Sequence, residues 1–187
     1  MKKLLFRFFI ILFLTILACK GSAQINGYDQ INIVVNNMCM INIGTVGSTS
    51  MTLSTSVAGS TISPVSNSNA YLRVTSVVPS GTTRKVSAII SYGAVPAGTL
   101  LRLSAAACSN ANYSGSMGSV TSSPITLNNA SNQTVIDGIG SCYTGSSSTD
   151  GYQISYTWLP DQSNYRSIHA TTDAISLSIT FTIAASN

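Results

Sequence analysis

Ala174 to Ala184 (AISLSITFTIA) alternates without a break: Ile175, Leu177, Ile179, Phe181 and Ile183 interleave with Ser176, Ser178, Thr180, Thr182 and Ala184. Successive side chains on a strand point to opposite faces, so the pattern predicts a β-strand with one apolar and one small polar face. A 3.6-residue period would scatter the same residues around a helix. Five large apolar side chains in a row demand a covering sheet, and the rest of the chain must supply it.

The chain opens with a basic stretch (Lys2, Lys3, Arg7) and an apolar run from Phe8 to Ala18, followed by Gly21-Ser22-Ala23. This order predicts a signal peptide over 1–23, cut before Gln24. The apolar run is too short to cross a bilayer, which takes about 20 residues. A second route also fits: Ile16-Leu17-Ala18-Cys19 resembles a lipobox, which would lipidate Cys19 and anchor the protein at an outer membrane.

Removing 1–23 changes the charge argument. The formal charge of +4 loses Lys2, Lys3, Arg7 and Lys20. What remains is Arg73, Arg84, Lys85, Arg102 and Arg166 against Asp29, Asp137, Asp150, Asp161 and Asp173. A balance near zero argues against nucleic acid or anionic lipid, both of which call for clustered Lys and Arg. Ser, Thr and Asn must hydrate such a surface, as in extracellular structural and adhesive domains. Low net charge also favours self-association.

Cys39, Cys108 and Cys142 follow the leader. Export permits disulfides. Cys108 and Cys142 lie beside Ser/Gly/Asn-rich loops and are the first-choice pair, worth about 3–4 kcal/mol in the chain-entropy picture. Cys39, in Met38-Cys39-Met40-Ile41, reads as a buried thiol, although spacing also permits its pairing with either of the others.

Along residues 24–187, strands are expected at Ile31–Val35 and Met38–Ile43 (a hairpin or one bulged strand), Met51–Val57, Ala70–Val78, Arg84–Tyr92 and Thr99–Ala105. Short strands follow at Pro124–Leu127 and Gln133–Ile136, then Gly151–Leu159 and the C-terminal alternating run. Gly59–Asn69, Ala107–Ser123 and Gly138–Asp150 read as polar loops, and Pro160–Asp173 as a connection without a helix. Many short strands with Gly/Pro/Ser/Asn turns predict an all-β, two-sheet antiparallel sandwich of the Ig-like or pilin-like kind, as a single domain over 24–187.

The residues for catalysis are sparse. His169 is the only imidazole, and there is no G-x-S-x-G elbow and no Glu to serve as a glycosidase acid. Neither a CxxC nor a D-x-D-x-D run offers a metal site. The expectation is a non-enzyme with no cofactor and no metal. Tyr152, Tyr156 and Trp158 share a face with Ile154 and read first as core. Tyr113, Tyr143 and Trp158 are the residues that would stack on a glycan if the domain were a carbohydrate-binding module.

Gly151-Tyr152-Gln153-Ile154-Ser155-Tyr156-Thr157, followed by Ser178-Ile179-Thr180-Phe181-Thr182-Ile183, resembles small secreted bacterial pilin-like proteins, both chaperone–usher subunits and spore-coat-U-like pilins. Two pilin features are absent: an early cysteine pair and an aromatic residue next to last. The resemblance implies an extracellular subunit whose N-terminal segment adds a strand to its neighbour. Ile31, Ile33 and Val35 would then form the donated face, or else Ile31–Val35 is the domain's own first strand. The leading expectation is a secreted or surface, fimbria-like structural or adhesive protein whose partners are itself or a surface glycan or protein. It would have no nucleic acid partner, and no membrane attachment unless Cys19 is lipidated. The rival expectation is the extracellular carbohydrate-binding module.

Overall fold

The computed structural model describes residues 30–109 and 111–186. The signal-peptide reading of 1–23 and lipidation at Cys19 lie outside the described residues. The chain divides between Val35 and Asn36, and every strand among the described residues belongs to the second unit. In chain order the strands are β1 (Met38–Thr45), β2 (Val65–Val77), β3 (Arg84–Tyr92), β4 (Thr99–Ala105), β5 (Ser114–Gly115) and β6 (Ser119–Val120). They continue as β7 (Ile125–Thr126), β8 (Gln133–Ile139), β9 (Cys142–Tyr143), β10 (Tyr152–Pro160) and β11 (Ser178–Ala185). A short 3₁₀ helix, Gln162–Ser167, is capped by Asp161, which accepts a hydrogen bond from the Ser163 N–H at 3.0 Å.

Two antiparallel sheets face each other as a β-sandwich. The larger is built around β2. β1 runs along its residues 70–77 on one edge, and β10 and β9 follow one another along the opposite edge. β4 and then β7 extend the sheet beyond β10, and β5 extends it beyond β9. The smaller sheet has the order β11-β3-β8-β6. Period-two patterning decides which side of each strand is buried: Leu72 and Val74 on β2, Val86 and Ala88 on β3, Leu103 on β4 and Ile154 on β10 all point inward. Pairing between β3 and β8 slips near Val86, and the consecutive residues Val135 and Ile136 are both buried there. A bulge permits that exception to alternation.

Arg84–Tyr92 and Thr99–Ala105 form strands over the expected residues. Other expectations need correction. Ile31–Val35 and Met51–Val57 carry no strand, although both have β-type composition. β2 begins at Val65, inside the segment read as loop, because Ser66 and Ser68 find hydroxyl partners across the sheet in Thr157 (2.8 Å) and Ser155 (2.7 Å). Cross-strand hydroxyl pairs stabilise a polar strand that has no apolar signature. β11 starts only at Ser178, so the first four residues of the alternating run are a lead-in to the strand.

Tyr152 and Tyr156 are buried as core, and the Tyr152 hydroxyl donates to the Met117 carbonyl beneath the long 106–118 loop. That bond explains how a stretch poor in aliphatic residues stays attached to the sandwich. Within it, Ser114 and Gly115 pair with β9, and the Ser116 backbone bonds to Ser141 and Gly140.

Candidate functional site

The sandwich is least complete where its two sheets meet along β1 and β11. The inward face of β11 is Ile179, Phe181 and Ile183, paired in register with Ile90, Ala88 and Val86 of β3. Those β3 residues are fully covered, whereas the three on β11 are only half-buried. β1 shows the same asymmetry. Cys39, Ile41 and Ile43 sit opposite Ser76, Val74 and Leu72, yet Ile41 is half-buried, Ile43 is 41 % exposed and Cys39 is exposed. The reading of Cys39 as a buried thiol is therefore corrected: its face points inward, but it lies on an edge strand with too little of the opposing sheet to cover it.

The Cα atoms of β1 and β11 approach within 8 Å, but no strand pairing joins them among the described residues. Each strand thus presents an outer row of backbone N–H and C=O groups beside a partly open apolar face. Edge strands are ordinarily blunted by charge or proline. MCMINIGT and SITFTIAA contain neither.

Ahead of β1, Ile31, Ile33 and Val35 expose 73, 83 and 75 % of their surface. Three β-branched residues at period two, without a strand of their own, carry the composition of a strand but not its pairing.

Cys108 and Cys142 are both buried and sit close enough to interact electrostatically. Burial first, and then Cys108, push the Cys142 thiol above its ordinary range. The three aromatic residues named for glycan stacking do not share one platform. Tyr143 pairs with Thr75 and Trp158 with Val65, which leaves roughly 33 Å of β2 between them. Trp158 packs against the core and its indole N–H donates to Thr99 Oγ1 at 2.9 Å. Tyr113 and Tyr143 are neighbours, since Ser114 pairs with Tyr143, and both rings are exposed.

Around Tyr143 the structure gathers residues that the sequence did not single out. Asp150, the last residue of a segment read as polar loop, is buried and accepts from the Ser147 N–H at 2.8 Å and from Asn112 Nδ2 at 3.2 Å. The Ser147 backbone bond, and with it Asn112, holds the Asp150 carboxyl below the usual carboxylate range. Asn112 lies far from Asp150 in sequence, and only the pairing of β5 with β9 brings them together. His169 is exposed in the loop after the 3₁₀ helix. Among the described residues, no group of three or more His, Cys, Asp or Glu side chains could hold a metal ion. No helix there is long and apolar enough to cross a membrane.

Comparison with models of known protein families, with curated proteins and with solved structures returns no match.

Proposed function

We propose that this protein is an exported, fimbria-like structural or adhesive subunit that self-associates by strand addition. The N-terminal segment of one copy would extend along the open β1/β11 edge of the next. In this reading the leader over 1–23 is removed and the sandwich is of the pilin-like kind. One observation carries it: two uncharged, unpaired edges flank a half-covered apolar face, in a chain that also holds an exposed Ile31/Ile33/Val35 face with no strand of its own. An added strand would supply what each part lacks. The edge it pairs with would gain backbone partners, and Ile179, Phe181 and Ile183 would gain apolar cover. Each Ile or Val buried this way contributes about 1.5–3 kcal/mol before the cost of association. Transfer of two electrons and two protons from the Cys108 and Cys142 thiols to a disulfide-exchanging oxidant outside the cytoplasm would join them and staple the segment carrying Cys108 to β9.

The test is the size and intact mass of the natively exported protein, by light scattering and mass spectrometry. The full mature chain should form large assemblies, and deletion of Gln24–Val35 should yield monomers. Ile33→Asp should weaken assembly at least ~100-fold, because it places a charge in an apolar groove. A wild-type chain that stays monomeric at high concentration, or assemblies that survive the deletion, would sink the mechanism. The same mass measurement reads the processing route, since acylation at Cys19 adds mass that cleavage before Gln24 does not.

A further inference from the structure

The spacing between Ile31–Val35 and β1 decides whose edge the segment can serve. Only Asn36 and Asn37 separate Val35 from Met38, the first residue of β1. The shortest closure within one chain is therefore a two-residue hairpin, with Val35 opposite Met38, Ile33 opposite Met40 and Ile31 opposite Asn42. Two properties of β1 forbid it. The first is which way its faces point. Directly opposite residues of an antiparallel pair share a face, and the inward face of β1 is Cys39, Ile41 and Ile43. The hairpin would carry Ile31, Ile33 and Val35 to the outer face and bring Asn32 in beside Ile41.

The second property is hydrogen-bond phase. The Val46 N–H donates to the Asn69 carbonyl at 2.7 Å, one step beyond the Thr45–Ala70 pair. The opposite edge of β2 agrees, since the Val74 carbonyl and N–H both bond to Thr144 at 3.0 Å. Bonded and unbonded pairs alternate along an antiparallel ladder. Met38, Met40, Asn42 and Gly44 therefore direct their N–H and C=O groups at β2, and Cys39, Ile41 and Ile43 turn theirs outward. A two-residue hairpin bonds at its closing pair, and the Met38 groups already face Val77. Pairing Val34 with Met38 fails in the same way.

One tight register satisfies both rules: Val35 opposite Cys39, Ile33 opposite Ile41 and Ile31 opposite Ile43. It encloses Asn36, Asn37 and Met38 in a three-residue loop whose last residue takes positive φ. Met38 is instead extended in β1, and among the described residues positive φ is confined to glycine. The approach to it is fixed as well, because Asn37 Oδ1 accepts from Arg84 of β3 at 2.6 Å. Longer loops would draw Val35 out of the apolar face. We infer that Met38 denies the segment to its own β1 and so leaves it to a second copy of the chain. The second half of that inference rests on the strand-addition reading.

Met38→Gly supplies the missing positive φ, and hydrogen exchange on the mature chain, diluted to monomer, reads the result. The amides of Ile33, Ile41 and Ile43 should exchange at least ~100-fold more slowly than in wild type, as newly paired backbone implies. The same variant should stay monomeric at concentrations where wild type assembles. Met38→Ala removes the same side chain but keeps the backbone extended, and should exchange and assemble as wild type does. So should Asn37→Gly, which offers the favoured Asn-Gly turn to the forbidden register. Retained protection of β2 and β10 shows that each variant is folded. Fast exchange at Ile33 in Met38→Gly overturns the inference. So does slow exchange there in wild-type monomers, in Met38→Ala or in Asn37→Gly. A wild type that never assembles sinks the strand-addition reading and with it the second copy, while the exchange rates still decide whether Met38 blocks closure.

Discussion

Between pH 10 and pH 12 the protein loses about 5 kcal/mol of stability. Tyr152 and Tyr156 are both buried in the core of the larger sheet. Burial pushes the Tyr156 hydroxyl up to about 12, and burial, followed by Cys142 and Cys108, pushes Tyr152 still further. Both groups start from an ordinary value of 10.0. The sign follows from which state binds protons. Below pH 10 both states keep both phenolic protons and stability is complete. Above pH 10 the unfolded chain releases them while the folded chain retains them, so each tyrosine costs about 1.4 kcal/mol per pH unit. The loss from Tyr156 runs to about pH 12 and that from Tyr152 continues beyond it. Together they take about 2.7 kcal/mol per unit, comparable over two units with the ~5–15 kcal/mol that holds a typical domain together. In the reduced protein the raised Cys142 thiol acts in the same direction from pH 9 upward.

Chemical denaturation at stepped pH, followed by circular dichroism and phenolate absorbance, measures the slope. Tyr156→Phe should halve it. Tyr152→Phe should halve it too, and should also lower stability at neutral pH by about 1 kcal/mol, because the Met117 carbonyl loses its donor. A stability that is flat to pH 12, or a slope unchanged in both variants, would show that these hydroxyls are not shielded from water.

Gly151→Ala destabilises the protein by about 4 kcal/mol and lowers its melting temperature by about 10 °C. Gly151 has φ +104°, a conformation that L-residues avoid, and it stands where the chain turns into β10. Its hydrogen side faces β2 directly: a Cβ would land on the Leu72 carbonyl oxygen and stand 3.3 Å from Arg73 Cα. Backbone cannot rotate away as a side chain can. The next residue, Tyr152, is already in register with Leu72, so relief requires β10 to shift against its neighbour. Gly59→Ala is the internal control. Gly59 also has positive φ (+84°), but nothing lies within 4 Å of the added carbon, so only the conformational cost of about 1–2 kcal/mol applies. Equal losses in the two variants would mean that steric approach at Gly151 contributes nothing.

Much of the sandwich is legible in its residues, and where it is not, the reason is physical. Arg84–Tyr92 and Thr99–Ala105 declare themselves because burial on one face writes period two into the sequence. The same signal misleads at Met51–Val57, where the alternation is present but no neighbouring strand takes it up. It is silent at Val65–Asn69, where serine pairs across the sheet rather than apolar residues extend β2. The hydrogen-bonded pair of Asn112 and Asp150 was out of reach for a related cause. Tyr143 could be named as an exposed aromatic, but Asn112 and Asp150 looked like ordinary loop residues until the β5–β9 pairing set them side by side.

The sequence by itself determined that the chain is β-structured, that its C-terminal run has one apolar face, and that Tyr152, Ile154 and Tyr156 form core. These are local consequences of alternation and composition. Only the tertiary structure decided that β1 and β11 are edges with half-covered inward faces, that Cys39 is exposed on one of them, and that Cys108 and Cys142 are neighbours. Edge position is a property of which strand lacks a partner, and proximity is a property of how loops fold back on one another. Neither leaves a mark within the few residues over which a periodic pattern can be read.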